Sequence, residues 1–210
     1  MTRILVFGDS LTWGFDPESS GRFPEDQVWP AIMAADLGSN VTVIVEALPG
    51  RTTVFDSPYA PGRSGAQMLG PLLESHAPID LVIIMLGTND LQESLGLSAR
   101  HSASGMWTLI DSATRSLVGP SITPPKVLVI SPPHLVDPTG FMGVFYENRE
   151  EESRELAHHF MRVAQRAGAG FFDAASVAAP GPVDGVHLDK AGNAALGPAV
   201  AAVVRPMLSQ

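Results

Sequence analysis

Apolar residues gather in short continuous runs along the chain. Arg3–Gly8 (RILVFG), Val41–Ala47 (VTVIVEA), Asp80–Leu86 (DLVIIML), Lys126–Ser131 (KVLVIS) and Gly170–Asp173 (GFFD) follow breakers such as Gly38-Ser39-Asn40, Pro78 and Pro124-Pro125. Runs that are continuous rather than alternating predict strands buried on both faces. Between them lie helical patterns at Val28–Leu37, Ala66–His76, Ser102–Leu117, Glu147–Ala167 and Lys190–Leu208. Pro30 fits only a first helical turn, and Gly197-Pro198 predicts a kink. Glu150 and Arg154 are spaced for an i,i+4 ion pair. Strand and helix alternate throughout, which predicts an α/β fold: a flavodoxin-like three-layer sandwich with a five-stranded parallel sheet and helices on both faces. No repeat, low-complexity tract or linker interrupts the pattern, so residues 1–210 are expected to form one domain.

Three connections are long for such a fold: Phe15–Gln27, Pro49–Gly65 and Pro132–Tyr146. Long loops in compact domains are often functional. In open parallel sheets ligands bind outside the carboxyl ends of the strands. The residues at those ends are therefore the candidates for chemistry.

Composition narrows the choice. Hydrophobic residues make up 45% of the 210 and charged residues 17%, enough apolar material for a buried core. Acids outnumber bases 22 to 13, a formal charge of -9, so neither nucleic acid nor an anionic membrane surface is an expected partner. There is no cysteine, which excludes disulfides, thiolate-bound zinc and a cysteine nucleophile. The chain opens directly on a strand pattern, without a basic and then apolar leader, and no apolar run approaches a membrane span. A cytoplasmic location is the expectation.

Four strand-end or loop blocks carry chemical potential. The first strand ends in Gly8-Asp9-Ser10-Leu11, which sets Ser10 at the top of the sheet with backbone N–H groups nearby to face an oxyanion. Asp9 or Ser10 could equally cap a turn or helix. The second strand leads to Gly50, whose N–H could serve as a further donor, and the third to Gly87-Thr88-Asn89-Asp90, where the Asn89 amide could face the same space. Gly, Asn and Asp are also ordinary turn residues. Near the C-terminus Asp184-Gly185-Val186-His187 can hold a carboxylate beside an imidazole on one loop, or can be a surface turn.

Taken in this order, GDSL, a post-strand Gly, GTND and D-x-x-H resemble the SGNH (GDSL) hydrolase superfamily over nearly the whole chain. Gly8–Gly14 (GDSLTWG), Arg51-Thr52-Thr53, Leu81–Asp90 (LVIIMLGTND), Val127–Pro133 (VLVISPP) and Asp184–His187 (DGVH) are similar to its bacterial aryl esterase/acyltransferase group, some of which act as perhydrolases. The resemblance implies Ser10 as nucleophile, His187 as general base and Asp184 as its orienting acid. It implies an oxyanion hole of Ser10 N–H, Gly50 N–H and the Asn89 side chain, with no metal and no cofactor. It implies a small-molecule ester substrate and a homo-oligomer. Two departures bear on substrate preference: His134 stands where a third proline is expected, and the loop Asp137–Tyr146 brings Phe141, Met142 and Phe145. Trp13, Phe141 and Phe145 are the candidate pocket walls, although Trp13 could instead be a core aromatic. Arg51 is expected in a salt bridge to Asp56 or another acid, or against a substrate carboxylate.

Two other readings share these residues. A carbohydrate acetylesterase of the same superfamily would use the same catalytic set in a more open, polar cleft. A non-catalytic flavodoxin-like binding module would explain the fold and the glycines, but not Asn89 together with Asp184 and His187.

Overall fold

The computed structural model describes residues 1–57 and 59–208; Pro58, in the expected loop Pro49–Gly65, and residues 209–210 lie outside the described residues. The strands in chain order are β1 (Thr2–Gly8), β2 (Phe15–Asp16), β3 (Gly21–Arg22), β4 (Val41–Ala47), β5 (Leu81–Met85), β6 (Lys126–Ser131) and β7 (Gly170–Asp173). The helices are α1 (Ser10–Trp13), α2 (Trp29–Leu37), α3 (Gly65–His76), α4 (Ala99–Arg115), α5 (Gly140–Phe145), α6 (Glu150–Ala167) and α7 (Lys190–Leu208). Five strands form the expected parallel sheet in the order β4-β1-β5-β6-β7.

Side chains of a strand alternate between faces, so each continuous run feeds two cores. Leu5 and Phe7 of β1 join Val82 and Ile84 of β5 beneath Leu69, Met106, Leu109, Leu156 and Phe160 of α3, α4 and α6. Ile4 and Val6 join Leu81, Ile83 and Met85 against Trp29 and Met33 of α2 and Leu196, Val200 and Val204 of α7. β4 departs from the expected two-sided burial: it is an edge strand, its residues are half-buried, and Val45 is exposed.

Other departures have local causes. α4 begins three residues before the pattern suggested, because Ser98 and His101 form a capping box ahead of the apolar stripe. α2 begins at Trp29 with Pro30 in its first turn, and Asn193 Oδ1 on α7 accepts the Trp29 N–H at 3.1 Å. α7 continues through Pro198; Gly197 serves instead as a contact point, since a Cβ there would lie 2.6 Å from Ile32 Cγ2. Arg154 pairs with Glu151 at 3.3 Å rather than with Glu150. The loop Phe15–Gln27 contains the β2–β3 hairpin, and the loop Pro132–Tyr146 contains α5; both are too short for sequence periodicity to reveal.

Candidate active site

Three strands end level with one another. In the sheet register Gly8 lies opposite Ala47 on one side and Met85 on the other. Ser10, the turn Leu48–Arg51 and the turn Gly87–Asp90 therefore project from the same edge. The chain leaves β1 sharply: Asp9 Oδ1 accepts the Leu11 N–H at 3.0 Å and starts α1, whose first residue is Ser10. A Cβ on Gly8 would lie 2.1 Å from Thr12 Oγ1 and 3.1 Å from Met85 O, so only glycine permits this close return of α1.

The last block reaches the same place from the other end of the chain. Asp184 Oδ1 accepts the N–H groups of Val186 and His187, each at 2.9 Å, which folds DGVH into a tight loop. Asp184 Oδ2 lies 2.6 Å from His187 Nδ1, and His187 Nε2 lies 3.0 Å from Ser10 Oγ. The loop is pinned to the segment before α5 by Val136 N–H to Gly185 O (3.0 Å) and Thr139 N–H to Asp184 O (3.1 Å). Burial by itself would raise the Asp184 pKa, but the hydrogen bonds from the His187 ring and backbone and from Val186 lower it on balance. Asp184 is thus an ionised acceptor for the imidazole at neutral pH.

The three groups the resemblance implies for an oxyanion hole, Ser10 N–H, Gly50 N–H and the Asn89 side chain, belong to residues that line one cavity. Neither the Ser10 N–H nor the Gly50 N–H has a hydrogen-bond partner among the described residues. Gly50 takes a positive φ of 79° in its turn. Asn89 lines the same cavity as Ser10, Gly50 and His187. Its amide is more constrained than sequence reasoning anticipated. Nδ2 donates to Asp9 Oδ2 and to Arg51 O, each at 3.1 Å, while Oδ1 accepts from Gln92 Nε2 (3.1 Å) and Tyr146 Oη (3.2 Å). An oxyanion would therefore share one of these hydrogens or draw it away.

Asp90 ties the blocks together beneath the site. It accepts from Thr53 N (2.8 Å), Thr53 Oγ1 (2.6 Å) and Ser102 Oγ (2.6 Å), joining the loop that carries Gly50 to β5 and α4. Burial pushes both Asp9 and Asp90 up to about 6, the hydrogen bonds to each only partly opposing it. Burial also pushes the Tyr146 phenol well up, so it remains a donor to Asn89.

The cavity over these groups measures about 300 Å³. Phe145 lines it, as expected, with Met142 and Tyr146. Phe141 and Trp13 do not. Phe141 is 71% exposed and packs edge-on against Phe145. Trp13 is half-buried outside the cavity, with the Arg22 guanidinium 5.0 Å from its ring centroid and Arg22 Nε bonded to its carbonyl. One turn of α1 carries Trp13 away from Ser10, and the hairpin returns Phe15 in its place, 4.4 Å from the His187 ring. His134 does not line the cavity either. Arg51 makes no pair with Asp56, which accepts from Gln67 instead. Arg51 is buried over the Phe7 ring and donates to the Gly8 and Glu46 carbonyls. Burial lowers its pKa to about 10. Sequence reasoning passed over Phe15, Tyr146, Gln92 and Arg63; no local motif marks them. Among the described residues no group of three or more His, Asp or Glu is placed to hold a metal ion, and no helix is long and apolar enough to cross a membrane.

A Ser–His–Asp hydrogen-bonded chain at the carboxyl edge of a parallel sheet is the geometry of a serine hydrolase, here without the G-x-S-x-G elbow. Residues 6–195 match the GDSL-like Lipase/Acylhydrolase family, and the chain belongs to it. Among solved structures it is similar to the M. smegmatis aryl esterase (40% identity over 99% of this chain and 100% of that one, TM-score 0.93). It is also similar to a carbohydrate acetylesterase family member from Sinorhizobium meliloti (38% identity over 100% of both chains, TM-score 0.94). No curated protein sequence matches it. The chain is a carboxylic ester hydrolase with the SGNH fold.

Proposed function

We propose that the enzyme hydrolyses small carboxylic esters through an acyl-enzyme on Ser10. The observation that carries this reading is the unbroken chain from Asp184 to His187 to Ser10, at 2.6 and 3.0 Å, opening on a cavity of substrate size. Ser10 Oγ attacks the ester carbonyl as His187 Nε2 takes its proton, and Asp184 holds the imidazole in the required tautomer. The tetrahedral oxyanion is met by the unpartnered N–H groups of Ser10 and Gly50 and by the Asn89 amide. His187 then returns the proton to the departing alcohol. Water, activated by the same base, releases the acid and regenerates Ser10. Turnover of p-nitrophenyl acetate tests the scheme: purified, folded Ser10→Ala should lose roughly 10⁶-fold in kcat. A variant that kept a tenth of the activity would refute it.

Acyl transfer to alcohols is a further proposal, supported by the apolar wall of Phe15, Met142 and Phe145 beside the nucleophile. Such a wall favours an alkyl alcohol over water by about 0.8 kcal/mol per buried CH₂. Vinyl acetate with a dilute primary alcohol should give ester from the first turnovers, and acetate alone would refute it. The carbohydrate acetylesterase reading draws support from the polar part of the lining, Ser57, Tyr59 and Gln92. Acetylated sugars outrunning aryl acetates would favour it. We propose too that copies of the chain associate beside the cavity, where Phe141 and Val144 of α5 are largely exposed. A monomer by analytical ultracentrifugation would refute that.

A further inference from the structure

Among the described residues, Arg63 is the one permanently charged side chain that lines the candidate active-site cavity, and no Asp or Glu lines it. The Arg63 backbone is anchored just ahead of α3, the carbonyl accepting the Thr52 N–H at 3.0 Å. Its side chain lies over Gly50: Nε and Cδ stand 3.6 and 3.7 Å from where a Gly50 Cβ would be. The side chain therefore lies beside Gly50, the residue whose N–H is assigned above to the oxyanion. Arg63 is half-buried, yet among the described residues its guanidinium has no hydrogen-bond or ion-pair partner. The chain carries 22 acids, and none is brought to it. Arg51 lies behind it, near enough for the Arg63 charge to add to burial in depressing its pKa, but Asp9 and Glu46 act on Arg51 in the opposite sense and offset its charge, which leaves Arg63 as the cation facing the cavity.

A half-desolvated guanidinium presents a planar fork of N–H donors suited to a carboxylate. We propose that Arg63 binds an anion on the substrate, and that the preferred substrates are monoanionic esters with a carboxylate a few bonds from the scissile carbonyl. This rests on the Ser10 reading of the cavity. The ester chemistry is unchanged; the carboxylate is a spectator that anchors the substrate. Because the protein carries a charge of -9, its long-range field opposes anions, and Arg63 supplies the local attraction that reverses this at the site. The carboxylate could belong to the acyl or the alcohol half of the ester, and matched probes separate the two.

The test compares wild type, Arg63→Gln and Arg63→Lys on two isosteric pairs. Monomethyl glutarate and its terminal amide place the charge on the acyl side; 4-acetoxybenzoate and 4-acetoxybenzamide place it on the alcohol side. In wild type one pair should show the acid preferred in kcat/KM. Arg63→Gln should lower that acid-to-amide ratio by about 10- to 100-fold, the range expected for hydrogen bonds to a charged group. The change should fall in KM, because the contact is the same in the ground and transition states. Arg63→Lys should keep most of the preference, and added salt should erode it. If the amides are hydrolysed and both ratios are the same in wild type and Arg63→Gln, the Arg63 proposal is overturned while the esterase reading stands. If no probe is hydrolysed while p-nitrophenyl acetate is, the Arg63 proposal alone is overturned; if p-nitrophenyl acetate is not turned over either, the Ser10 reading fails and takes this one with it.

Discussion

Asn89 Nδ2 donates to Asp9 Oδ2 across 3.1 Å, so the residue before the nucleophile holds the amide proposed to face the oxyanion. The opposite end of that amide is held by Tyr146 and Gln92. With the bond to Arg51 O, these contacts fix where the amide points, and the oxyanion that develops in the transition state shares or draws away one of the two hydrogens now given to Asp9 and Arg51 O. Asn89→Ala should lower kcat by roughly 10²- to 10³-fold and leave KM nearly unchanged. Tyr146→Phe keeps the amide but loosens it, and its loss of kcat should be smaller. Steady-state kinetics on one aryl acetate would check both, and a raised KM at constant kcat in Asn89→Ala would make Asn89 a ground-state binding residue instead.

The Asp184–His187 pair predicts a graded response. Only neutral imidazole can accept the Ser10 proton, so the wild-type rate should fall at acid pH. Asp184 stays ionised there, since its pKa is lowered. His187→Ala should abolish both the activity and the acid limb. Asp184→Asn leaves a base in place but in the wrong tautomer, so its loss should be nearer 10⁴-fold than 10⁶-fold. Equal rates for wild type and His187→Ala from pH 5 to 9 would remove His187 from the mechanism.

Stability should depend on pH in an uncommon direction. Asp9 and Asp90 are raised from 3.8 to about 6, so between these values the folded chain binds protons that the unfolded chain has released. Stability from these groups is therefore greatest near pH 4 and declines as pH rises to about 6, by on the order of 3 kcal/mol for each. Asp184 acts oppositely, but its lowered pKa puts its effect below the unfolded value of 3.8, outside this window. Urea unfolding at intervals from pH 4 to 7 should give a shallower decline for Asp90→Asn than for wild type. Parallel curves would show that Asp90 does not titrate in that range.

Gly8→Ala tests the approach of α1 to β5. The added methyl meets Thr12 Oγ1 and the Met85 carbonyl, and at least the carbonyl cannot move freely. Overpacking of this kind costs about 1–3 kcal/mol. A shift of Ser10 by 1 Å would cost roughly 10²-fold in rate. Thermal unfolding and kcat should both fall, and a variant with wild-type values for both would show the turn to be compliant.

Much of this architecture is decided locally. A continuous apolar run such as Leu81–Met85 has one stable destination, a strand covered on both faces, and five such runs separated by helical patterns leave few alternatives to a parallel sheet. Gly8-Asp9-Ser10, Gly50, Asn89 and Asp184–His187 were legible because each sits at a strand end or in a turn whose residue types are restricted by backbone geometry. The sequence also determined the spacing that lets Asp184 cap its own loop and reach His187 three residues on. Contacts made across the fold were decided only in three dimensions. Ser10 and His187 are 177 positions apart, and their 3.0 Å approach depends on the register of β1 and on the pins between Gly185 and Val136. Phe15 rather than Trp13 meets His187 because a single turn of α1 sets which way each ring points. Arg63 lines the cavity, and Arg51 is buried near it, because bonds from Thr53 to Asp90, far off in sequence, and from Thr52 N–H to Arg63 O across the loop hold the two ends of this segment in place. Side-chain direction in an irregular loop follows from what the rest of the fold leaves open, and no periodicity records that in advance.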